Sequence, residues 1–118
     1  MLAIILAEDD SFYRSVSHRT RLLKYEVLRY RDPVKLIDNL EELRPQAVIV
    51  REMDFPGHWE ILAATVCCSD GLKGTRILVV SGKAGPSSMV YEALSWIDAE
   101  KDADTGRLVG KVLTRTSI

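Results

Sequence analysis

Three short apolar runs constrain this chain most: Ile4-Ile5-Leu6-Ala7, Ala47-Val48-Ile49-Val50 and Ile77-Leu78-Val79-Val80. They alternate with segments of helical spacing, the order expected of an α/β domain with a mainly parallel sheet. Ser11 to Leu23 reads as a helix with Phe12, Val16 and Leu23 near one face, and Tyr25 to Tyr30 reads as a strand. Asp32-Pro33 opens a second helix, because Asp can cap and Pro is tolerated at the first helical position; Val34, Ile37, Leu40 and Leu43 form its apolar stripe. Trp59 to Cys68 is expected to be helical. Pro86 to about Ala99, with Met89, Val90, Ala93, Leu94 and Ile97 at helical spacing, is a further expected helix, and Leu108 to Leu113 a fifth strand. The expectation is a doubly wound, five-stranded parallel sheet in a single domain over residues 1–118, its C-terminal helix short or absent.

The composition suits this reading. A chain of 118 residues is long enough for one core and too short for two, and 47% hydrophobic with 28% charged residues excludes disordered and collagen-like classes. The formal net charge of −1 gives no global field toward nucleic acid or an anionic membrane. Met1 to Ala7 is apolar but too short for a signal peptide or a membrane span, so a cytoplasmic address is expected. Cys67 and Cys68 are adjacent, a spacing that disfavours a disulfide and suits small apolar residues buried on one helix.

In open sheets of this kind the site lies at the carboxyl ends of the strands. That rule selects Glu8, Asp9 and Asp10, then Arg51, Glu52 and Asp54, then Ser81 and Lys111. The acids at positions 8 to 10 also suit a helix N-terminus, where they cap and favour the dipole. Arg51 either points to the opposite face of its strand or folds over and neutralises the acidic cluster.

Ile4-Ile5-Leu6-Ala7-Glu8-Asp9-Asp10, the run Arg44-Pro45-Gln46-Ala47-Val48-Ile49-Val50, the loop Glu52-Met53-Asp54-Phe55-Pro56-Gly57 and Ile77 to Gly82 resemble, in order and spacing, the receiver domain of bacterial two-component response regulators. That family has a flavodoxin-like (CheY-like) fold. The resemblance implies a phosphoacceptor four residues before Pro56, a Mg2+ ion held by the acidic turn, a switch hydroxyl at Ser81 and a counter-charge at Lys111. The acceptor position holds Glu52 in place of Asp. One added C–C bond, about 1.5 Å, carries its carboxylate outward and spoils the alignment for attack on a phosphoryl group, so ordinary phosphotransfer is not expected. Val112 follows Lys111 where the family has Pro, and Leu108 stands where an aromatic residue commonly reports activation.

The resemblance therefore implies an atypical receiver that acts by protein–protein interaction, with a signalling protein, a fused output domain or a second copy as partner, and no catalysis of its own. Its acidic pocket would be Glu8 and Asp9, and any Mg2+ would rest on Glu8, Asp9 and Asp54. Alternatives are a receiver that is phosphorylated on Asp54 or another nearby group, and a flavodoxin-like small-molecule binder. The apolar face usually covered by a C-terminal helix is expected to be left open after Leu113, for closure by dimerisation, by strand or helix exchange, or by further chain. His18 and His58 lack a ligand pattern and are expected to be solvated, while Trp59 and Trp96 suit core packing. Gly82-Lys83-Ala84-Gly85 lacks the Walker spacing.

Overall fold

A computed structural model of the chain describes residues 1–81, 88–93, 100–102, 109–110 and 113–114. Its elements are β1 (Leu2–Leu6), α1 (Asp10–Leu22), β2 (Glu26–Tyr30), α2 (Pro33–Leu43), β3 (Ala47–Arg51), α3 (His58–Cys68), β4 (Arg76–Ser81), β5 (Ser88–Ala93) and β6 (Glu100–Asp102). The sheet order is β2-β1-β3-β4-β5-β6, and β2, β1, β3 and β4 run parallel. The molecule is thus a doubly wound α/β domain with parallel order 2-1-3-4, consistent with a flavodoxin-like arrangement.

Because side chains alternate across a strand, the apolar runs feed two cores. Ile4, Leu6, Val48, Val50, Ile77 and Val79 face α2 and α3, where Leu36, Leu40, Leu62 and Val66 close the layer. Ala3, Ile5, Ile49, Leu78 and Val80 pack on the other side with Val16 of α1, Val109 and Leu113. Caps set the helix starts. Asp9 accepts from Phe12 N and Asp32 from Val34 N, with Pro33 in the first turn of α2. Gly57 precedes α3 at φ +80°, a left-handed conformation that favours glycine.

The structure corrects the sequence reading in several places. Residues 88–93, expected to be helical, form a strand antiparallel to β4. Only residues 82–87 separate the two strands, too few for the crossover that a parallel neighbour requires, so the chain must turn back on β4. The expected fifth parallel strand is also replaced: residues 109, 110, 113 and 114 are helical. Val109 and Leu113 are buried against the α1 side of the sheet, and Arg76 Nη1 donates to Leu113 O at 2.8 Å. The face expected to be left open is therefore covered by the chain itself.

Along α2, Leu40 is buried and Ile37 and Leu43 pack against the core as expected, whereas Val34 is 62% exposed and Leu36 joins the buried face instead. Cys67 and Cys68 are free and exposed in the last turn of α3, whereas Leu62, Ala63 and Val66 take its buried face. His58 is the first residue of α3 and half-buried, in edge-to-face contact with Phe55, and its Nδ1 is buried with no hydrogen-bond partner. His18 is exposed, and Trp59 packs against the α2/α3 core. Leu94, Trp96, Ile97, Leu108, Lys111 and the loop at 82–85 lie outside the described residues.

Candidate functional site at the carboxyl edge of the parallel strands

At the end of β1 the chain leaves the sheet through Ala7 and Glu8 and enters α1 at Asp9. Two backbone N–H groups in this connection, on Glu8 and Asp9, need acceptors. Asp54 supplies both: its Oδ2 accepts from Glu8 N at 2.8 Å and from Asp9 N at 3.2 Å. The turn after β3 makes this reach available, since Asp54 N donates to Arg51 O at 3.1 Å and Phe55 N to Glu52 O at 3.1 Å. The Asp54 side chain is 12% exposed, so most of its carboxylate is removed from water.

Arg51, the last residue of β3, folds into the same corner. Its Nη1 donates to Asp54 Oδ1, its Nη2 lies 3.9 Å from Asp9 Oδ2, and its guanidinium sits 5.7 Å from the centre of the Phe12 ring. Arg51 Nη2 also meets Met53 Sδ at 3.5 Å. The Arg51 side chain is 23% exposed and that of Asp54 12%, so removing either partner leaves a partly desolvated charge uncompensated.

A second arginine approaches from β2. Arg29 Nε and Nη2 each donate to Ala7 O at 3.3 Å, and Nη2 donates to Glu8 O at 3.1 Å. The same Nη2 is 2.8 Å from Asp10 Oδ1, and the guanidinium lies over the Tyr13 ring at 4.5 Å. Arg31 reaches Asp10 Oδ1 at 3.2 Å. The acidic turn is thus clamped from both sides, Asp9 and Asp54 by Arg51 and Asp10 by Arg29 and Arg31. Arg29 and Arg31 were missed in the sequence; the available signal was two arginines two apart at the carboxyl end of a strand, hence on one side of it.

The structure brings Asp9, Asp54 and the Glu8 backbone together. Glu8 itself is exposed. Glu52 is half-buried directly after β3, and its N donates to Val80 O at 3.0 Å, which places it beside the strand end that carries Ser81. The carboxylate seated against residues 8 and 9 belongs to Asp54.

The residues do not fit the Mg2+ ion expected on Glu8, Asp9 and Asp54. That ion takes oxygen ligands in near-octahedral order at about 2.0–2.1 Å. Among the described residues no group of three His, Cys, Asp or Glu side chains is placed to hold a metal. Asp54 Oδ2 is held by two N–H donors and Asp9 Oδ1 by Phe12 N at 2.8 Å, while a guanidinium faces the oxygens that remain.

Asp10 gives this edge a measurable pH signature. Its carboxyl is held below the ordinary 3.8, first by the hydrogen bond from Arg29 and then by the charges of Arg29 and Arg31. A lowered carboxylate pKa stabilises the folded state above the unfolded value, and that contribution is lost as pH falls through the folded value. NMR titration of the Asp10 carboxyl should show a midpoint below 3.8, and Arg29→Gln should move it upward.

Fold and edge together define a doubly wound α/β domain whose acidic carboxyl-end corner is neutralised by its own arginines. Residues 1–93 match TP_0454_N, an N-terminal domain family, and the chain belongs to that family. It is also 37% identical over 62 residues to an uncharacterised protein of Treponema pallidum (strain Nichols). That stretch is 52% of this chain and 27% of the relative, so the match spans about a quarter of the relative's length. No solved structure matches. The family match contains the entire Arg51, Asp54 and Asp9 corner. No helix among the described residues is long and apolar enough to cross a membrane.

Proposed function

We propose that the domain is a receiver-like regulatory module that works without phosphoryl transfer, by docking to a signalling protein or to an output domain on the same polypeptide. The observation that carries this reading is the state of Asp54. Its carboxylate, the one seated at the acidic turn, already accepts from Glu8 N, Asp9 N and Arg51. A phosphoryl group attacked there would require an oxygen released from a desolvated ion pair and an N–H pair left without its acceptor. Glu52, at the acceptor position of the receiver resemblance, carries the extra methylene described above. A corner held by internal charges keeps one geometry, which suits a constitutive docking surface rather than a switch. Classification as an N-terminal domain and the greater length of the Treponema relative support a module attached to further polypeptide.

The test is titration with acetyl phosphate, or with beryllofluoride, in the presence of Mg2+. Intact mass is expected to show no phosphoryl adduct, and the amides of Glu8, Asp9, Glu52 and Asp54 are expected not to shift. A stoichiometric adduct on Asp54 or Glu52 would overturn the reading.

A further inference from the structure

We propose that Arg51 is a tethered cation, a guanidinium built into the chain at the place where Asp9 and Asp54 would otherwise gather a hydrated divalent ion. The proposal rests on the reading above that this corner is fixed without phosphate, and extends it to what holds the corner in place. Each carboxylate is anchored through one oxygen and offers the other to the same charge. Asp54 is anchored through Oδ2 by Glu8 N and Asp9 N, and Asp9 through Oδ1 by Phe12 N. Asp54 Oδ1 and Asp9 Oδ2 both turn to Arg51.

Two carboxylates facing the same small volume are a donor set that Mg2+ commonly uses, with water completing the shell. Arg51 takes both. Its group is planar and always charged, and Met53 Sδ and the Phe12 ring lie against it, so the cation cannot be diluted away or competed off at low metal. Metal independence follows from one residue at the end of β3. Substitution of that residue should uncover a divalent site that the natural sequence suppresses.

Thermal melts of the chain and of Arg51→Ala, in MgCl2 or CaCl2 against NaCl of matched ionic strength, test this directly. The unsubstituted chain is expected to melt at the same temperature in divalent and control salt. Arg51→Ala is expected to gain about 5 °C at a divalent concentration tenfold above its Kd, with NMR shifts at Glu8, Asp9, Phe12 and Asp54 that the parent lacks. If Arg51→Ala does not fold in metal-free buffer, folding on addition of Mg2+ or Ca2+ supports the proposal and its absence overturns it. Arg51→Lys, which keeps a charge at the end of the side chain, should fold and stay insensitive. A divalent response in the unsubstituted chain, or none in Arg51→Ala, would overturn the tethered cation. Either result leaves the phosphoryl test standing, because that experiment reads adduct formation on the natural sequence.

Discussion

Val109→Asp is expected to abolish cooperative folding of the domain or to lower its stability by more than about 4 kcal/mol. Val109 is fully buried among Ala3, Ile5, Val16, Ile49, Leu78 and Val80, on the side of the sheet that α1 covers only in part. A carboxylate there would lose its water among the buried apolar side chains of that cluster. A domain of this length has a total stability of roughly 6–18 kcal/mol, so one such change removes a large share. Val109→Ala, which deletes two methyl groups and adds no charge, should cost about 1–2.5 kcal/mol, and Leu113→Ala about 2–4 kcal/mol. Urea unfolding followed by circular dichroism would rank the three. If Val109→Asp unfolds at the parent midpoint, residues 109 and 113 do not cover the sheet, and the face expected from the sequence to be open is open after all.

That face shows why the sequence was legible at one end of the chain and misleading at the other. Through β4, most elements are declared by a feature that acts locally: the two-faced apolar runs of β1, β3 and β4, the Asp9 and Asp32 caps, and Pro33 at the start of α2. After Ser81 the deciding constraint is not local. Met89, Val90 and Ala93 fit a helical face, yet Val90 and Tyr91 suit a strand as well, and a run this short has no period of its own. Pairing with the free edge of β4 decides the matter, and the short connection between the two strands makes that pairing antiparallel. With the place beside β4 taken by β5, the closing apolar residues Val109 and Leu113 serve as a helical cover.

The corner was legible by place and less so by residue. The rule that sites gather at strand ends selected Glu8, Asp9, Asp10, Arg51, Glu52, Asp54, Ser81 and Lys111, the last of which lies outside the described residues. Which carboxylate turns inward depends on the turn that follows β3, where Asp54 N and Phe55 N bond back to Arg51 O and Glu52 O. Spacing to Pro56 draws attention to Glu52, but the unpaired N–H groups of the β1–α1 connection are what attract an acceptor, and Asp54 is the side chain that meets them. Two of Arg29's partners, Ala7 O and Glu8 O, are backbone atoms that carry no sequence signal, and its third, Asp10 Oδ1, reads in the sequence as a helix-start acid.

The same geometry gives Asp54→Ala an expected loss of about 3 kcal/mol, large for a residue outside the core. The substitution strips acceptors from Glu8 N and Asp9 N and leaves the half-buried Arg51 without its nearest counter-charge. Asp54→Asn keeps a carbonyl oxygen for the two N–H groups and surrenders the ion pair, so it should lose roughly half as much. Pairing it with Arg51→Gln in a double-mutant cycle should return a coupling of about 1–2 kcal/mol, because each single change strands the other's charge. Glu52→Gln, which preserves the side chain's shape, is expected to cost under about 1 kcal/mol. Chemical denaturation of the parent and the five variants measures all of these on one scale. Were Glu52→Gln to prove as damaging as Asp54→Ala, the corner would be organised around residue 52, the phosphoacceptor position of the receiver resemblance.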